Sequence, residues 1–135
     1  MKNHLAQHIY ILILFCCFWS NTSTAQDKFY LVDTVDFPRM DESDRLLIDT
    51  TLLEYHQEQI DTQRLNLINN IVNRCYDDKV WPLYNRVLKQ ESYQLIAQPQ
   101  YYSSDWIKKA VAMYALSLNN EGFMSYNLGD FESAL

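Results

Sequence analysis

The stretch Leu65–Cys75, LNLINNIVNRC, decides the fold class. Leu65, Ile68, Ile71, Val72 and Cys75 recur three and four residues apart, so they share one face of an α-helix. Asn66, Asn69, Asn70 and Asn73 take the other face. Asp61 or Thr62 stands where a cap is needed, and the segment reads as an amphipathic helix packed along its apolar side. Ile68 is expected at the centre of that side, and the asparagine face is expected to tolerate substitution.

Working outward, the preceding segment reads as a helix from Asp41 or Ser43 to about Gln59. Leu46, Leu53 and Ile60 recur every seven residues there, with Leu52 and Tyr55 beside them, and form its apolar stripe. A third helix follows Asp77 and Asp78, with Pro82 in its first turn, where the missing amide costs nothing. Trp81, Tyr84, Val87, Leu88, Leu95 and Ile96 form its buried face, and Pro99 follows its end. The loop Gln98–Ser104 closes with serines able to cap a fourth helix from about Asp105 to Asn127, carried by Trp106, Ala110, Val111, Tyr114 and Leu118. Short polar connections imply antiparallel neighbours. The chain has only two glycines and three prolines, too few for many short strands joined by tight turns. The class is all-α, in one domain with a modest core.

Residues 1–25 read as a secretory signal: Lys2, then the apolar run Ile9–Trp19, then small residues at Ser23 and Ala25. The run is shorter than the roughly 20 residues that span a bilayer, so cleavage after Ala25 is the expectation, with an uncleaved anchor as the alternative. The chain is thus expected to be exported, to a periplasmic or extracellular place. Residues 26–40 read as an extended arm ending near Pro38, whose Phe29, Leu31 and Val35 are placed to lie along the first helix or a neighbouring subunit. The acidic cluster Asp33, Asp36, Asp41, Glu42 and Asp44 lacks the spacing and the sharp-turn glycine of a calcium loop, and reads as a solvated, helix-starting charge run.

The formal charge is −6, and loss of Lys2 with the leader takes it to −7, a surface that repels nucleic acid and anionic lipid. No nucleic-acid partner is expected, and no membrane contact beyond the export signal or a further anchor. His56 and Cys75 are the only histidine and cysteine beyond the leader. They support neither a zinc set nor a catalytic triad, and no internal disulfide. No glycine-rich phosphate loop is present. The chain is therefore read as no enzyme, with no cofactor and no metal. Cys75 reads as a buried small hydrophobe, with an intermolecular disulfide as the alternative, His56 as solvent-facing and the tryptophans as core, while the paired Tyr101 and Tyr102 stay open as candidates for an aromatic binding patch.

The last stretch, LSLNNEGFMSYNLGDFESAL (residues 116–135), resembles the first helix, turn and second-helix start of a tetratricopeptide repeat. Leu118 matches the large apolar residue one turn before the small crossing residue, Gly122. Gly129, Asp130, Phe131 and Ala134 match the turn, the aromatic and the small packing residue that follow. Glu121 and Ser125 depart from the pattern, where Leu or Ile and Tyr are commoner. The resemblance implies a right-handed α-solenoid of antiparallel helix pairs, with residues 41–115 as a helical lead-in and 116–135 as a partial motif. A repeat runs to about 34 residues, so the motif reads as broken off and the chain as the amino-terminal piece of a longer protein. The function implied is an exported scaffold that holds a protein or peptide partner. The alternative is a sensory or support region of a signalling protein whose kinase or cyclase output lies elsewhere.

Overall fold

A computed structural model describes residues 29–33, 35–36, 39–130 and 132. Residues 1–25, expected to be a secretory signal, and, in the repeat-like motif, Phe131 and Ala134 lie outside the described residues. The described residues form four α-helices packed antiparallel in sequence order: α1 (Glu42–Gln57), α2 (Asp61–Arg74), α3 (Trp81–Ala97) and α4 (Ser104–Asn127). A short 3-10 turn, Pro99–Tyr101, joins the last two. Each helix packs on the next, with a smaller contact between α2 and α4.

Helix α1 starts where Asp41 accepts the Ser43 amide at 2.8 Å, which satisfies one of the first-turn donors. It stops before Glu58, whose carboxylate takes the amides of Gln59 and Ile60. That arrangement moves the start of α2 away from the expected cap. Its N-cap is Ile60, without a side-chain bond. Thr62 is buried in the packing of the first turn, and Asp61 accepts from Tyr102. Helix α3 carries Pro82 in its first turn, and Ser103 caps α4 through the Trp106 amide.

The core is the apolar side of α2 together with its neighbours. Ile48, Leu52, Leu65, Ile68, Ile71, Tyr84 and Leu88 are fully or almost fully buried. Each large aliphatic side chain removed from water contributes roughly 1.5–3 kcal/mol. Cys75 joins this core, and burial pushes its thiol up to about 11, which keeps it in the poorly nucleophilic protonated form.

Only part of the apolar stripe expected on α1 is covered: Leu52 is fully buried and Tyr55 half-buried. Leu46, Leu53 and Ile60 are 63, 55 and 56% exposed, while Asp44, Ile48, Thr51 and Leu52 face inward. The covered side of α1 also carries a charge, Asp44. Its carboxylate accepts the amides of Tyr76 and Asp77 at the α2–α3 connection, at 2.9–3.2 Å. Asp44 is therefore not part of a solvated charge run; it is buried and closes the start of the next hairpin.

The arm is bent rather than extended where it is described, with a helical turn at Phe29–Tyr30 and Leu31 at φ 62°. Such a left-handed backbone is unfavourable for leucine, and anchors on both sides hold it. The Tyr30 hydroxyl donates to Asp49 and its carbonyl accepts from the buried Tyr84, both at 2.9 Å, and Val32 is buried. Phe29 lies against the His56 ring at 5.1 Å. His56 Nε2 donates to the Phe29 carbonyl at 2.7 Å, so this exposed histidine is engaged in holding the arm.

Candidate functional site

Helix α4 has two unlike faces. Toward α3 it presents Ala110 and Ser117, both fully buried, and these small residues leave room for polar side chains between the helices. Asn85 of α3, fully buried, donates to the Ser117 carbonyl and accepts from Asn120, both at 2.9 Å. Lys89 pairs with Glu121, and Tyr93 lies beside Tyr114. The desolvation cost of a buried amide is offset when its donors and acceptors are matched. Glu121, the residue that departs from the repeat pattern, thus has a defined place facing α3.

Among the described residues, no other helix covers the opposite face of α4. Between Ala110 and Leu128 the sole charged residue is Glu121, which points to α3. Val111, Leu116, Leu118, Phe123 and Tyr126 are exposed, with Ala112 and Ala115 also exposed and Gly122 half-buried. Val111 and Leu118 therefore do not help hold α4 to the core, contrary to the sequence expectation. Their angular position on the helix is set by Ala110 and Ser117, whose small side chains allow the close approach to α3. A surface helix normally carries its charges outward; this face carries none, and exposed Asn119 lies among its apolar residues.

The helix ends in a defined way. Gly129 has φ 78°; its amide bonds the Tyr126 carbonyl and the Asp130 amide bonds the Ser125 carbonyl. This is the paired-bond Schellman ending, in which a residue without Cβ takes the left-handed position and the chain turns back. Of the six residues matched to the repeat, Leu118 and Gly122 thus share the outer side of α4, and Gly129 and Asp130 form the turn.

A second feature is a recess of about 320 Å³ among Tyr55, Asp61, Arg64, Glu91 and Tyr102. Its polar groups satisfy one another. The Tyr55 hydroxyl donates to Glu91 and Tyr102 to Asp61, while Arg64 lies 3.9 Å from Asp61 and over the Tyr55 ring. Burial raises the Glu91 carboxyl above its ordinary range, partly offset by the Tyr55 bond and by Arg64. A carboxyl whose folded pKa exceeds its unfolded value binds protons more tightly when folded, so its contribution to stability falls as pH rises through that window. Glu91→Gln keeps an acceptor for Tyr55 and removes the titration. It is expected to flatten the decline in stability above the ordinary glutamate range, measured by urea midpoints across pH 4 to 8 (about one midpoint per pH unit).

Among the described residues there is no group of three His, Cys, Asp or Glu side chains placed to hold a metal, and no helix long and apolar enough to cross a membrane. Comparison with protein-family models, with curated proteins and with solved structures found no match. The described residues form a small all-helical domain of four packed helices. Sequence reasoning missed Asp44, Asn85 and Ser117. Ser117 lies seven residues after Ala110 and so shares its face, a signal that was available, whereas Asp44 and Asn85 are polar residues at core positions that only their partners explain.

Proposed function

We propose that this domain is a protein-binding helical scaffold of tetratricopeptide type, exported from the cytoplasm, in which the outer face of α4 receives another helix. The observation that carries the reading is the uncharged outer face of α4, from Val111 to Tyr126, with Gly122 within it. A glycine on an apolar helix face lets a second backbone approach closely, and the turn at Gly129 matches the end of the first helix of such a repeat. The leader-like residues 1–25 support export. A support role for a signalling output is the other reading of the same helices, and it requires no client on this face.

A photoreactive amino acid placed at Leu118 separates them. In the producing cells, a scaffold is expected to give one discrete crosslinked product from Leu118 and none from the control position Arg74, which is exposed at the far end of α2. Equal labelling from both positions, or none from Leu118, removes the docking role.

A further inference from the structure

We propose that the cleft between α3 and α4 binds a carboxylate carried on an aromatic ring, at a site independent of the outer face of α4. On α3, Arg86, Lys89, Gln90 and Tyr93 recur three and four residues apart, and on α4 Tyr114 and Glu121 stand seven apart, so each set shares one helix face. Together they line an open cleft of about 370 Å³, within the size range of small-molecule sites. Its aromatic lining is the pair of Tyr93 and Tyr114 rings, 5.9 Å between centroids and tilted by 41°. The core does not account for Tyr93, which is 57% exposed. The hydroxyls of Tyr30, Tyr55, Tyr84 and Tyr102 all donate within the domain, whereas those of Tyr93 and Tyr114 bond no other described residue. A flat apolar surface with uncommitted donors suits a flat ring that carries an acceptor.

Charge selects the acceptor. Lys89 is neutralised by Glu121, while Arg86 is exposed and makes no ion pair or hydrogen bond with another described residue. Two cations against one carboxylate leave the cleft with a net positive charge, in a chain whose formal charge is −6. A single excess charge matches a monoanion; a phosphate dianion would bring a second charge that nothing on the lining balances. An amine would have to compete with Lys89 for the carboxylate of Glu121. The planar guanidinium of Arg86 can hold both oxygens of a carboxylate through parallel bonds. Tyr93 lies two turns further along α3, about 10 Å away. That spacing fits a ring joined to its carboxylate by a short linker, with the ring against the tyrosines and the acid at Arg86.

Titration of the full chain with cinnamate, followed in amide NMR spectra, tests the site. A ligand of about a dozen non-hydrogen atoms in an open cleft is expected to bind with a Kd of about 0.1–3 mM. Saturable shifts are expected at the amides of Lys89, Gln90, Tyr93 and Tyr114. Cinnamamide, which keeps the ring and removes the charge, is expected to bind about tenfold more weakly, and Arg86→Gln to weaken cinnamate by a similar factor. Arg86→Lys keeps the charge without the fork and should lose about threefold. Glu121→Gln releases Lys89 for the ligand and should tighten binding about threefold, a gain that a purely structural role for the pair does not produce. Arg74→Gln removes an exposed cation from the far end of α2 and should leave the affinity unchanged. A short peptide ending in phenylalanine with a free carboxylate presents the same chemistry from a different source. Tighter binding of the peptide than of cinnamate assigns the carboxylate to a chain terminus, and the reverse order assigns it to a free acid. Absence of saturable shifts with both ligands up to about 10 mM, equal affinity for cinnamamide, or unchanged binding in Arg86→Gln overturns the site.

Discussion

Ile68→Asp is expected to remove most or all of the stability of the fold. Ile68 is fully buried in the middle of α2, the helix that packs on both α1 and α3. The substitution deletes an aliphatic side chain from the shared core and puts an unpaired carboxylate in its place. Either effect costs a few kcal/mol, and together they reach about 5 kcal/mol or more, comparable with the entire stability of a small domain. Far-ultraviolet circular dichroism during urea titration reads the outcome. The control is Asn73→Lys, on the exposed side of the last turn of α2, where a cation suits the helix terminus and the change should stay within about 0.5 kcal/mol. Asn69 is not an equivalent control, since its Oδ1 is buried without a hydrogen-bond partner. A shift for Ile68→Asp no larger than that of Asn73→Lys would mean that α2 does not bury this face.

The second large effect is expected at Asp44. Its carboxylate is buried and holds the amides of Tyr76 and Asp77, which lie between the end of α2 and the start of α3. Asp44→Ala leaves both amides without their acceptor and opens a small cavity beside Cys75. Hydrogen bonds to a charged group contribute about 1.5–3 kcal/mol each, with part of the loss recovered where water reaches the site. A net cost of about 2–4 kcal/mol is expected, and hydrogen exchange at the Tyr76 and Asp77 amides should accelerate more than exchange in the middle of α3. Asp44→Asn, which retains an acceptor but not the charge, should fall between the two. Equal exchange rates at the connection in wild type and Asp44→Ala would show that the carboxylate does not organise it.

How far these features were legible differs by element. The faces of α2 and of much of α3 were readable because both helices lie inside the row, where apolar spacing and burial coincide: Leu65, Ile68, Ile71, Val72, Tyr84 and Leu88 are where their periodicity places them. On α1 and α4 the same rule held only in part, at Leu52 and Ala110. Both are end members of the row, both carry two apolar stripes, and periodicity does not say which stripe is covered. On α1 the choice went to the side bearing Asp44, and on α4 to the side bearing Ala110 and Ser117. In each case a polar or small residue, ranked low by any hydrophobic pattern, won the buried position because a partner on another element needed it there.

The sequence by itself determined the all-α class, the number of long helices, their approximate ends at Asp41, Pro82 and Gly129, and the inward face of α2, because these follow from local terms: capping, proline and glycine geometry, and side-chain spacing along one helix. Only the tertiary structure decided the rotation of α1 and α4, the capture of the Tyr76 and Asp77 amides by Asp44, the matching of Asn85 with Ser117 and Asn120, and the exposure of the apolar span from Val111 to Tyr126. Those outcomes depend on donors and acceptors more than thirty positions apart being buried together, and the free energy of matching them is set by the assembled helices, whatever the local pattern of the segments that carry them.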